Sequence, residues 1–522
     1  MNRTVEAMAV SEDRQLRAGD AAVFSPILIG SGVFALVFAV LFVVTVRSLG
    51  HWYYPLDDAY IEMSIAKHLA LYGVWGTSGQ FASASSSPTF VVLLAICYRV
   101  FGVSQYTALI LAFASCIGAI FATARLLRFL PVRLQRVGVC LVVALTPLWT
   151  MSVVGMEHAL QVLLCILFLD LAVQTIALDQ RLNWKILLVA ALMVSVRYEG
   201  LFVAAGACLL LLLRKRWIAM ITLACAAWLP VFAFGFYFRL HGARWLPNSL
   251  LLKGGPGWDR IVVFLMYGFH MSALMLAATW FVWRYRHSLT GSRAKAAICI
   301  TTTALWLHFF LASYGWVYRY EAYLIALGVV SLLLCYSERL LQRGLLKMAM
   351  VALLFLVAHA VVATLTLPGR SRTIYMQQIQ TAKLLSTYPA STALNDIGAP
   401  TFFTDAPVED IVGLGSQDVF NARHRHAYTT SELGKILTAH QVKTIAIYDN
   451  WFSEHPAVDI GGPPLPPGFV RVAKLHTPDP YRNLGGETVS YYATPETQDL
   501  LRAALHKLEA TLPAGDSIDF EK

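Results

Sequence analysis

Runs of about twenty apolar residues constrain this chain more than any other feature. A helix needs about 20 such residues to cross the roughly 30 Å hydrocarbon layer of a bilayer. Windows that qualify, or nearly do, lie at 26–49, 105–127, 134–154, 157–178, 184–197, 199–213, 217–238, 260–283, 295–314, 320–337 and 345–367. In lipid each backbone N–H and C=O must be paired within its own segment, so these windows predict about eleven transmembrane helices. Composition agrees: of 522 residues, 57% are hydrophobic and 14% charged, where soluble domains carry about 25% charge. A soluble enzyme, a disordered chain and a nucleic-acid binder are excluded.

The formal net charge of +10 needs mapping before it is given a partner. The basic groups Arg125–Arg136, Arg181 and Lys185, Arg214–Arg216, Arg284–Lys295 and Arg339–Lys347 fall in alternate loops. Positive residues mark the cytoplasmic side, so the charge reports topology. The solvated tail 1–25 is then cytoplasmic, 26–368 is the transmembrane domain, and 50–104 is its first outer loop. Residues 369–522 lie outside the membrane on the same side as that loop.

Two local features refine this map. Pro88–Phe101 is apolar but only about 14 residues long, which predicts an interfacial helix. Were it to cross, Arg125–Arg136 would move outside. Windows 184–197 and 199–213 are separated by Arg197-Tyr198-Glu199-Gly200. One continuous helix would bury Arg197 and Glu199 at a cost of several kcal/mol, so two helices joined at a polar turn are expected.

The tail changes character. Pro400, Pro407, Pro463, Pro464, Pro466 and Pro467 appear, and Thr444–Tyr448 and Val489–Ala493 read as strands. Gln498–Leu512 reads as an amphipathic helix. A small α/β domain is expected. The eight cysteines lie in apolar stretches before it, with no CxxC or Cys/His ligand spacing.

The chemistry concentrates in the first outer loop. Ile61, Ile65, Leu69 and Tyr72 follow helical spacing and Gly73 suits a helix C-terminus. This predicts an amphipathic helix on the membrane surface. Asp57 and Asp58 stand at its start, where free N–H groups and the helix dipole favour carboxylates. They are either ordinary helix-start residues or a paired-carboxylate site. Tyr60 is part of the same segment. Ser87 with Pro88 reads as an N-cap and first position for the short helix that follows. Glu157, Arg197, Glu199, Asn248, Lys253 and Arg319 all fall at the outer ends of predicted spans. Cations at that depth suit a lipid-linked phosphate. Asp170, the one carboxylate inside a span, suits a structural pair as well as a function.

At these residues the sequence resembles a known family. The acidic pair Asp57-Asp58-Ala-Tyr-Ile, Ser86-Ser87-Pro88, Gly155-Met-Glu157, Arg197-Tyr-Glu199-Gly and Leu246-Pro-Asn248-Ser resemble the GT-C superfamily of integral-membrane glycosyltransferases. The branch most similar contains the cell-wall and pilin arabinofuranosyltransferases. Leu394–Ala399 and Asp410–Gly415 look like strand motifs of that branch's extracytoplasmic domain. The resemblance implies an inverting transferase of the inner membrane that uses a polyprenyl-phosphate sugar, arabinofuranose for this branch. It implies a glycan, lipid or protein acceptor outside. It implies Asp57 as general base and Asp58 as acceptor-positioning residue or, if a divalent cation takes part, its ligand. Arg197, Lys253 and Arg319 would grip the donor phosphate, with Glu157, Glu199, Asn248 and Tyr60 lining the substrate site. The alternatives are a lipid-linked-sugar transporter or flippase, and an assembly protein acting through its tail. A transporter calls for polar residues near mid-membrane and inverted repeats; here the ionisable groups gather at one face.

Overall fold

The structure, a computed structural model, describes residues 2–177, 179–253, 259–388, 390–456, 458, 460–478 and 485–522. Each apolar window is mostly helical among the described residues. Among the described residues seven helices are long and apolar enough to cross a membrane: Phe24–Leu49, Tyr106–Leu126, His158–Ala177, Trp217–Leu240, Ile261–Arg284, Arg293–Leu311 and Arg343–Thr387. The pair Val132–Leu145 and Leu148–Val154, bent by 40°, makes an eighth if counted as one span. The chain is an integral membrane protein of mostly helical fold with a small C-terminal sheet.

Of the eleven expected spans, seven or eight meet this length test among the described residues, and the other three windows form shorter apolar helices. Trp184–Val196, Gly200–Leu213 and Ala322–Ser337 have 13, 14 and 16 residues, about 20–24 Å of helix at 1.5 Å per residue. Polar turns cut them short. The break at Arg197–Glu199 lies where the sequence places it. Asp170 is a structural pair: its carboxylate accepts from Arg125 at 2.9 Å and Arg128 at 3.1 Å.

The amphipathic helix of the first outer loop spans Asp57–Tyr72, and Gly73 closes it in the left-handed conformation (φ 71°). It does not lie open on the membrane surface, as the sequence suggests. Residues Ala59–His68 are all buried, because the helix is sandwiched between Pro88–Phe101 and the C-terminal domain. Pro88 is at the start of that short helix, but the Ser87 hydroxyl makes no cap; its backbone carbonyl accepts from Phe90 and Val91 instead.

The helix that begins at Arg343 continues through Pro368 to Met376, and Gln378–Thr387 follows, so residue 369 falls inside a helix. Beyond it, among the described residues, lie six strands: β1 Thr392–Leu394, β2 Val408–Asp410, β3 Thr444–Ile447, β4 Val470–His476, β5 Thr488–Ala493 and β6 Ser517–Phe520. Their order is β2-β1-β3-β5-β4-β6. β1 runs parallel to β2 and β3, and the remaining pairs are antiparallel. Gln498–Glu509 packs on the sheet through Leu501, Ala504, Leu505 and Leu508. The motifs Leu394–Ala399 and Asp410–Gly415 are the turns leaving the parallel strands β1 and β2. Both turns point back at the first outer loop.

Candidate active site

A cavity of about 350 Å³ opens between the first outer loop, the turn Arg197–Glu199 and the loop that carries Arg319. The helix Asp57–Tyr72 divides its side chains between this cavity and the C-terminal domain. Asp58, Ile61 and Glu62, at spacings of three and four, line the cavity. Asp57, Tyr60 and Lys67 face the domain. Successive residues of a helix point about 100° apart, since a turn holds 3.6 residues, so the two adjacent carboxylates have different neighbours.

Asp57 is spent on the domain. Its Oδ2 accepts from the Gly398 N–H at 2.7 Å and its Oδ1 from the Ala399 N–H at 2.8 Å. These amides open the short helix Gly398–Phe403. Burial and the neighbouring Asp396 push its carboxyl up to about 7, against the two amide bonds. The helix start therefore does not keep it ionised, as the sequence suggests, because lost hydration outweighs the amides. Tyr60 is also scaffold. It is wholly buried, its hydroxyl accepts from the Tyr54 N–H at 3.0 Å, and its ring packs on Phe402 and Phe403. The Lys67 ammonium donates to the carbonyls of Phe402 and Thr404 at 3.1 and 3.0 Å and pairs with Asp405 at 2.8 Å.

Asp58 stands in the cavity paired to Arg319. The Arg319 guanidinium is buried, donates to the Met156 sulfur, and lies 5.0 Å from the Tyr320 ring centroid. Arg197 lies 5.3 Å from the same ring, so Tyr320 sits between two cations. Arg197 is itself clasped, by Glu157 at 2.9 Å and by both oxygens of Glu199 at 2.5 and 3.0 Å. Ser86 takes a further N–H at 3.3 Å. Glu157 reaches this point because Gly155 turns the chain at φ 67°, where a Cβ would fall 2.1 Å from the Tyr54 ring.

Glu62 is buried beside Glu157, and its Oε2 accepts from Ser85 at 2.6 Å. Burial first, and then the Glu157 charge, hold its carboxyl well above the usual range. Sequence reading passed over Glu62, although its place four residues from Asp58 puts it on the same face. Tyr320 was also given no site role, and Ser86 entered only as part of a motif. Leu414, from the turn after β2, closes the cavity; no local signal in the sequence announces it. Asn248 is a strut behind the wall: it joins Ser83 at 3.0 Å to the Leu414 carbonyl at 3.3 Å. The side chain of Lys253 lies outside the described residues. Among the described residues Asp58 belongs to no group of three converging His, Cys, Asp or Glu side chains.

A family model described as a domain of unknown function (DUF8728) matches residues 372–492. Among curated proteins no sequence match is found. Among solved structures, the chain is similar to ArnT from Cupriavidus metallidurans bound to undecaprenyl phosphate, with 12% identity, a TM-score of 0.48 and coverage of 80% of this chain and 93% of that one. It is similar to the Archaeoglobus fulgidus oligosaccharyltransferase, with 12% identity, a TM-score of 0.44 and coverage of 92% and 74%. It is also similar to the mycobacterial arabinofuranosyltransferase AftD, with 14% identity, a TM-score of 0.38 and coverage of 88% and 41%. Residue roles come from this chain's own geometry.

Proposed function

We propose that this chain is an inverting glycosyltransferase that moves a sugar from a polyprenyl-phosphate donor to an acceptor on the outer face of the inner membrane. The cavity carries the reading. One end is charged, with Asp58, Arg319, Arg197 and Glu199. The other is apolar, with Trp228, Val231, Leu246, Leu250 and Leu311. Trp228 belongs to a membrane-length helix and is 46% exposed, so the apolar wall meets the lipid-facing surface. A phosphate head with an isoprenoid tail matches both ends. A soluble sugar nucleotide has no use for the second.

In the reaction an acceptor hydroxyl attacks the anomeric carbon, the bond to the phosphate oxygen breaks, and the hydroxyl proton passes to a base. Asp58 is our choice of base, displacing Asp57. Glu62, its carboxyl held well above the usual range by burial and the Glu157 charge, faces the same cavity. Glu157 and Glu199 are committed to Arg197. The leaving phosphate gains charge, and preorganised cations stabilise it most. We assign that role to Arg319 and Arg197, with Lys253 joining from the helix Asn248–Lys253. Asn248 and Tyr60 hold the framework. The motif resemblance favours arabinofuranose as the sugar.

The test is release of polyprenyl phosphate by reconstituted protein given a panel of polyprenyl-phosphate sugars and a glycan acceptor. Release that requires Asp58 supports the reading. Movement of intact donor across the vesicle, with no release for any sugar, establishes the flippase instead.

A further inference from the structure

The loop before Ala322 is strained. Gly315, Trp316, Val317 and Tyr318 have φ of 92°, 49°, 63° and 58°. For residues with a Cβ this conformation costs roughly 1–2 kcal/mol each, and a β-branched residue there is an outlier. The loop delivers Arg319 and Tyr320 to the cavity and ends at Glu321, which is wholly buried.

Glu321 Oε2 accepts from the Gly315 N–H at 3.2 Å, while Oε1 has no hydrogen-bond partner. His270 Nε2 lies 3.4 Å from that oxygen and also lacks one. The His359 ring stacks on His270 with centroids 4.0 Å apart; it is 5% exposed, and neither of its nitrogens is hydrogen-bonded. One ligand atom from each of the three residues falls within 4.8 Å of the others. None of the three lines the cavity.

Each unpaired buried polar group costs about 1–3 kcal/mol. A proton shared between His270 and Glu321 would join only those two and leave His359 unserved. A single divalent ion takes the open oxygen and a nitrogen from each ring at once. We propose that His270, Glu321 and His359 bind a divalent transition metal of the zinc class. Two imidazoles and one carboxylate suit zinc and its neighbours, whereas magnesium and calcium favour oxygen ligands throughout. The ligands come from three elements: the turn Phe269–Met271, the end of the strained loop, and the helix Arg343–Met376. The ion therefore ties this loop to two helices and fixes Arg319 and Tyr320. Its role is positioning, and the site stands whether or not the transferase reading holds.

The experiment uses purified full-length protein in detergent, stripped with a chelator and then dialysed against Zn²⁺, Co²⁺ or Mg²⁺ alone. Wild type is expected to retain stoichiometric Zn²⁺ by mass spectrometry and to show visible d–d bands with Co²⁺. Its melting temperature should fall on stripping and return with Zn²⁺ but not Mg²⁺. His359→Ala and His270→Ala should lose the bound metal. Glu321→Gln, which keeps shape and removes charge, should weaken it at least about tenfold. The proposal is overturned if wild type holds no more Zn²⁺ than Glu321→Gln and gives no Co²⁺ bands. The Glu321→Gln comparison and the wild-type spectrum decide the matter even where a histidine variant fails to fold.

Discussion

Asp57 occupies the space a side chain on Gly398 would need. A Cβ at Gly398 would fall 2.3 Å from the Asp57 carbonyl oxygen and 2.7 Å from its Oδ2. Both donor bonds from the 398–399 amides depend on that close approach. Gly398→Ala should therefore separate the C-terminal domain from the first outer loop, at a cost of about 1–3 kcal/mol for overpacking. A lower melting temperature and faster protease release of the tail are the expected readouts; an unchanged melting curve would remove the contact from the list of docking determinants.

Acid should strengthen the same contact. The folded Asp57 carboxyl titrates at about 7, raised by burial and by Asp396, against about 3.9 in the unfolded chain. The folded state thus binds more protons between these values, and stability falls as pH rises through that window. Above about 7 both carboxylates repel each other in full. Melting temperature should decline from pH about 5 to about 7.5, and Asp396→Asn should flatten the slope. Equal slopes in the two proteins would place its origin elsewhere.

Asp58→Asn should cost on the order of 10²–10⁴ in turnover, the range of lost general-base catalysis. Asp57→Asn should mainly lower stability, since the amide keeps one acceptor oxygen for two N–H donors. Single-turnover rates on folded material separate the two. If Asp57→Asn loses the chemistry while its melting temperature is preserved, the assignments are reversed.

Arg319→Lys keeps the charge but loses the planar fork that reaches Asp58 and lies against Tyr320. One charge-assisted hydrogen bond is worth about 1.5–3 kcal/mol, so donor affinity should weaken by about 10- to 150-fold. Titration with an unreactive lipid-phosphate analogue measures it. Wild-type affinity in Arg319→Lys would move the phosphate to other cations.

Sidedness follows from the alternate basic loops. A phosphatase fused after Lys522, active only in an oxidising compartment, should be active in intact cells. Activity of a cytoplasm-only reporter at that position would invert the orientation.

Some of this was plain in the sequence. Gly73 and the spacing of Ile61, Ile65 and Leu69 gave the helix, because periodicity is local. Arg197 and Glu199 gave the break between two short helices, because lipid punishes buried charge. Which of two adjacent carboxylates faces the cavity was not legible. That depends on what packs against the helix, and Asp57 finds its partners 341 and 342 residues away. Periodicity did carry a hint, since Asp58 and Glu62 share a face. Three of the apolar windows fold as helices of 13–16 residues, because polar turns interrupt them.

The separation between Asp57 and Gly398 also sets an order of assembly. Ribosomes deliver the first outer loop long before the turn after β1 exists. Until that turn arrives, the Asp57 carboxylate lacks its two amide partners and Leu414 cannot close the cavity. A nascent or prematurely terminated chain thus lacks the residues that complete the cavity wall.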